Sequence, residues 1–202
     1  MHSPTTSSQE LLSKPGVLSA LEYEQRRRET RRSLTRFTRA FSQFEPAKHH
    51  ALLIERLEDV SAGKIFRLMV LMPPGSSKSF YASQLFPAWH LGSHPDHAIV
   101  AASHTAELAE KFGRRVRNLI ASDEYRDVYG FGLAADSQAA GRWETTKGGE
   151  YFAVGVGGAV TGRRADGAVI DDPIRGREDA DSPTVREKTW EWWKADLRTR
   201  LK

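Results

Sequence analysis

The sequence predicts an α/β fold with a mainly parallel central sheet flanked by helices, and three observations carry that reading. First, short apolar runs without a helical polar face recur at residues 66–72, 98–102 and 168–170, as strands buried on both faces require. Second, the first two of these runs are each followed by a segment with apolar residues at three- and four-residue spacing, giving the order strand, helix, strand, helix. Third, 202 residues with 39% hydrophobic content suffice for one well-packed core.

Taken in order, residues 1–16 are rich in Ser, Thr, Pro and Gln and read as a disordered tail, and 17–45 as an N-terminal helical arm. In the arm Leu34, Phe37, Phe41 and Phe44 line one face, while Arg26, Arg27, Arg28, Arg31 and Arg32 precede it as a solvated or phosphate-binding run. A second helix, about 48–62, turns Leu52, Leu53, Leu57 and Val60 inward and ends at Gly63. The run 66–72 reads as a buried strand stopped by Pro73, Pro74 and Gly75. A helix starting near Lys78 carries Tyr81, Leu85 and Trp89. After the strand at 98–102, Leu108, Phe112, Val116 and Leu119 mark one helix face. Gly148-Gly149 between two β-prone runs predicts a hairpin, and Trp190, Trp193, Leu197 and Leu201 mark a last helix over about 183–201.

Chemistry concentrates at two strand ends. The segment Pro74-Gly75-Ser76-Ser77-Lys78-Ser79 joins a strand to a helix and has the lysine and hydroxyl of a phosphate loop. Met72 and Ser77 stand where G-x-x-x-x-G-K-[ST] has glycine. In such a loop, backbone amides at a helix N-terminus meet phosphate oxygens, the lysine supplies charge, and the next hydroxyl holds Mg²⁺. A positive φ at Ser77 would be harder for serine than for glycine. In VIDDP, Asp171 at the end of an apolar run suits a Mg²⁺ ligand, with Ser79, and Asp172 suits the polarising of an attacking water. A plain turn would also account for Asp-Asp-Pro, but the two motifs together, in order and each at a strand's C-terminal end, favour a site. Arg163, in TGRRAD, could stabilise charge on a transferring phosphoryl group.

The motifs RLMVLMPPGSSKS, ASHTAELAEKFGRRVRNLI, GRWETTKGGEYFAVGVGGAVTGRRADGAVIDDPI, EDADS and WEWWKADLRTRL, in that order, resemble the ATPase domain of tailed-phage and prophage terminase large subunits. The resemblance implies a P-loop NTPase of the additional-strand class over residues 46–202. It implies a cofactor set of ATP and Mg²⁺, and double-stranded DNA, a portal protein and a small terminase subunit as partners. It also implies a homo-oligomeric ring in the cytoplasm of the bacterial host. Lys78 and Ser79 match the phosphate and Mg²⁺ ligands, and Asp171 the strand-end acid. Arg163 matches the arginine finger, with Arg164 beside it, and Asp172 stands where many relatives have the catalytic glutamate. Glu178 or Asp179 could assist. Adenine recognition falls around 44–50. The chain is expected to stop before the coupling motif and the RNase H-like nuclease of complete large subunits.

Two other readings stand beside a packaging ATPase: a P-loop kinase, and an inert prophage remnant that binds nucleotide or DNA. The net charge of +4 favours polyanions without deciding among them. The absence of cysteine excludes disulfides and thiolate chemistry, and no apolar run reaches the roughly 18 residues of a membrane span. His90, His94 and His97 are set aside as a metal site because Gly92 and Pro95 read as helix breakers between them. Trp190, Trp192 and Trp193 read as core and subunit contact rather than base-stacking platforms.

Overall fold

The computed structural model describes residues 15–42, 44–160 and 162–202; residues 1–14 of the expected tail, Gln43 and Thr161 lie outside the described residues. The arm is two helices, α1 (Pro15–Arg32) and α2 (Leu34–Phe41), divided at Ser33, whose hydroxyl accepts the Arg36 amide as an N-cap. Leu34 and Phe37 are fully buried in the main core, with Phe37 stacked on Phe41 at 4.3 Å. The arm is therefore packed onto the body: Trp89 donates its indole N–H to the Arg31 carbonyl, and Arg31 donates to the Val128 carbonyl. Phe44, expected on the same face, is 65% exposed because α2 ends before it.

Helix α3 (Lys48–Ser61) buries Leu53, Ile54 and Leu57; Ile54 takes the place expected for Leu52, which faces solvent. From Lys78 the chain is helical through a π-helical stretch at Phe80–Leu85 into α4 (Phe86–Ser93). Then follow β1 (Ala98–Ser103), α5 (Ala106–Ala121), α6 (Asp123–Tyr129), β2 (Leu133–Gln138), β3 (Arg142–Thr145), β4 (Glu150–Gly155) and β5 (Gly167–Ile170). The last elements are α7 (Arg177–Asp181) and α8 (Pro183–Trp192), which continues through a π turn at Trp193–Leu197.

The sheet order is β2-β3-β4-β1-β5. Strands β4, β1 and β5, three of the five, are parallel, and β3 and β2 extend them antiparallel. Because side chains alternate along β1, Ile99 and Ala101 enter one core with α2 to α6, while Val100 and Ala102 enter a second with Val154, Val160, Trp192 and Leu197. Helices thus cover both faces. In the first core Trp143 and Tyr151, neighbours on β3 and β4, stack at 4.8 Å with an interplanar angle of 5°, and Trp143 donates to the Gly113 carbonyl. The expected hairpin is β3 and β4. Its Gly148 has φ of 86°, and a Cβ on Gly149 would lie 2.5 Å from the Pro95 carbonyl oxygen.

Two expectations change. Residues 66–72 form no strand: the segment is unpaired among the described residues, with Leu68, Val70 and Met72 against the core and Phe66, Met69 and Leu71 at least 83% exposed. An apolar run records affinity for an interior, not whether a neighbouring strand is present to pair with it. In the last helix Trp192, not Trp190, is buried. The π turn realigns the faces, placing Trp192 and Leu197, five residues apart, in one core, while Trp190 stays 53% exposed.

Candidate functional site

The turn after Met72 is built by backbone conformation. Gly75 and Ser77 both adopt positive φ, 78° and 60°, and Ser76 folds back with its amide and hydroxyl on the Pro73 carbonyl. Alternating positive φ turns successive amides to one side, the arrangement of an anion-binding nest. The amides of Ser77, Lys78 and Ser79 find no acceptor among the described residues, as befits the first turn of a helix. His50 braces the loop from below. Its Nδ1 accepts the Ala47 amide, so Nε2 carries the proton and donates to the Ser76 carbonyl at 3.0 Å.

Serine at φ 60° carries a steric penalty of about 1–2 kcal/mol that glycine lacks, partly offset by glycine's greater freedom when unfolded. Ser77→Gly is expected to raise the unfolding free energy by about 0.5–1 kcal/mol in urea titrations. A fall instead would mean that the hydroxyl, not the backbone, matters there.

The loop faces the C-terminal ends of β1 and β5. Lys78 Nζ lies 2.9 Å from Asp172 Oδ1 and 3.6 Å from Asp171 Oδ1. Asp171 is 6% exposed; Ser83 donates to its Oδ2 at 2.8 Å, and the Ser103 hydroxyl donates to its carbonyl. Asp172 has φ of 45°, and the His104 amide donates to its carbonyl at 3.1 Å. Burial alone would lower the Lys78 pKa, but the hydrogen bond Lys78 donates to Asp172 and the charges of Asp172 and Asp171 outweigh it and hold the ammonium above its ordinary range. Beneath the loop the buried Tyr81 ring lies 4.6 Å from His50, and burial, then Glu45, push its phenol up.

The expected site residues therefore separate into groups. Pro74, Gly75, Ser76, Ser77, Lys78 and Ser79 form the loop, and Asp171 and Asp172 meet its lysine. Phe44 packs edge-on against Phe80 at 5.7 Å, and His50 touches Ser76, so the 44–50 segment does border the loop. Arg163 is elsewhere. It pairs with Glu150 at 3.3 Å and lies over the Phe152 ring at 4.1 Å. Glu150 is level with Ala98 and Asp171 with Ser103, five residue steps along the sheet, or roughly 16 Å. Arg164 is exposed, and Glu178, exposed in α7, makes no hydrogen bond or ion pair to Lys78, Asp171 or Asp172 among the described residues. Ser83, Ser103 and His104 escaped the sequence reading, and His50 entered it only as the end of the 44–50 segment. Ser83, four residues beyond Ser79 on the same helix, is the one whose spacing pointed to the site.

The arrangement offers, at one sheet edge, free amides and an ammonium for a polyanion and hard oxygen donors, from Ser79, Asp171 and Asp172, for a cation such as Mg²⁺. A family model described as "Terminase large subunit, T4likevirus-type, N-terminal" matches residues 69–199, from the segment before the loop to the end of the last helix. No curated protein matches the chain.

Proposed function

Since the chain belongs to the terminase large subunit family through its N-terminal domain, we propose that it is the ATP-hydrolysing motor domain of a phage DNA-packaging machine, acting on double-stranded DNA in the host cytoplasm. The observation that carries the ATPase reading is the meeting of Lys78 with Asp171 and Asp172 at the C-terminal end of β5, beside a loop whose amides are unengaged. That edge is where open α/β sheets bind ligands, and the reading places the domain among P-loop NTPases.

In this reading the Ser77, Lys78 and Ser79 amides and the Lys78 ammonium take the β- and γ-phosphates of ATP. Lys78 leaves the carboxylates as it does so. Ser79 and Asp171 would hold Mg²⁺, which supplies charge neutralisation on the phosphate oxygens. Asp172, held by His104 and 60% exposed, orients the attacking water. Phe44 and His50 border the base. Arg163, tied to Glu150 away from its own loop, would serve a neighbouring subunit's site in a ring, and portal and small-subunit contacts follow from membership in a packaging machine. Among the described residues no helix is long and apolar enough to cross a membrane.

The test is ATP hydrolysis by the purified chain with and without double-stranded DNA, beside equilibrium binding of a fluorescent ATP analogue. Turnover that rises with DNA supports the motor. Absence of nucleotide binding in the presence of Mg²⁺ overturns it.

A further inference from the structure

At the opposite edge of the sheet, the chain gathers three histidines. Helix α4 does not break at Gly92. A Cβ there would lie 2.3 Å from the Tyr129 ring, so the glycine admits that ring, and the helix runs on to Ser93 with His94 as its C-cap. His90 and His94 are thereby one helical turn apart on one face, stacked at 4.5 Å. Pro95 and Asp96 then turn the chain so that His97 comes back against both, with ring centroids 5.2 Å and 4.6 Å away. One ring nitrogen from each of the three lies within 4.8 Å of the others.

We propose that His90, His94 and His97 form a binding site for a divalent transition-metal ion of the zinc class, lying at the N-terminal edge of β1 and separate from the Lys78 loop. Three features of the geometry support this. A tetrahedral ion with nitrogen bonds near 2.1 Å needs nitrogens about 3.4 Å apart, and His90 Nε2 and His97 Nδ1 are already 3.1 Å apart. His90 Nδ1 lies 2.8 Å from the Ser61 hydroxyl; donated to that oxygen, its proton leaves the Nε2 lone pair facing the cluster, the outer partner that orients a metal-bound imidazole. His94 Nδ1 lies 3.3 Å from the His90 carbonyl, a partner that leaves Nε2 as the nitrogen available to an ion. A negative charge stands behind the site. Asp166, which accepts the Ala98 amide next to His97, pairs with Lys202.

An all-imidazole donor set selects zinc, cobalt, nickel or copper over Mg²⁺ and Ca²⁺, which require oxygen. Three protein ligands leave a fourth position for water. The ion would join α4 to the turn that starts β1 and, through Ser61, to α3, acting as a clip at a corner of the fold.

The experiment uses the full chain without a histidine tag, stripped with chelator, and titrates Zn²⁺ calorimetrically and Co²⁺ by visible absorption. The expected result is one ion per chain, the d–d bands of nitrogen-bound Co²⁺, persistence in excess Mg²⁺, and a higher melting temperature with Zn²⁺. His94→Ala and His97→Ala, at half-buried positions, should each weaken binding by at least roughly 100-fold, the upper end of the loss from even an outer-shell partner. The paired change of His49 and His50 to alanine should leave it intact. No binding by the parent chain, or binding that survives both single changes and disappears with His49 and His50, overturns the proposal. Melting in chelator guards against unfolded variants, and the parent titration decides by itself if they do not fold.

Discussion

Lys78→Met is expected to slow ATP turnover about 100- to 1000-fold, the loss seen when one preorganised charge-stabilising group is removed from a transition state. Nucleotide binding should fall with it, because the Lys78 ammonium is the cation nearest both carboxylates and the loop amides supply only partial charge. The same change carries a second signature. Asp171 is 6% exposed and would keep Ser83 while losing its counter-charge, so the unfolding free energy should drop by about 1–3 kcal/mol. Single-turnover hydrolysis and urea unfolding on one preparation separate the two. If the variant is less stable yet hydrolyses ATP at the parental rate, Lys78 is a structural counter-ion and the motor reading fails.

The largest effect on stability should come from Trp143→Ala. The residue is fully buried, stacks on Tyr151 and donates to the Gly113 carbonyl. Removing an indole from a packed interior costs about 3–5 kcal/mol in lost burial and residual cavity. That is a large share of the roughly 5–15 kcal/mol that holds a domain folded. Trp143→Phe keeps a ring against Tyr151 and loses mainly the N–H bond, so about 1–2 kcal/mol is expected from the smaller change. Both are read from urea midpoints at constant m-value. A cost below about 1 kcal/mol for the alanine variant would mean that α5 and the sheet do not form the continuous core described above.

Much of this was legible in the sequence, for identifiable reasons. Strand β1 and helix α5 were visible because their patterns follow burial, β5 because a short apolar run precedes Asp171 even though this edge strand is only partly buried, and the hairpin because two glycines mark a tight turn. The approach of Lys78 to Asp171 could be anticipated because both follow apolar runs. The strain at Ser77 was likewise readable, since the loop pattern asks for glycine there and φ is indeed positive.

What stayed hidden depends on contacts between distant segments. Strand β2 is largely exposed and polar, so it has no inward face to give a pattern. Arg163 sits with Glu150 and Phe152 because the chain returns to the N-terminal edge of the parallel strands before β5, which the spacing of eight residues to Asp171 does not encode. The histidine trio was discounted because Gly92 reads as a breaker, whereas its lack of a side chain serves the Tyr129 ring from another helix.

Residues 66–72 have a consequence for handling the protein. They present Phe66, Met69 and Leu71 to water on a backbone that no described strand engages, and Ile170 on the edge strand β5 is also exposed. An extended apolar row with open amides and carbonyls is a template for edge-to-edge association. Pro73 and Pro74 cap the row, since neither has an amide to extend a ladder. Colloidal behaviour should therefore be governed by seven residues rather than by net charge: light scattering should rise steeply with concentration, and Met69→Lys with Leu71→Lys should flatten that rise without moving the melting temperature.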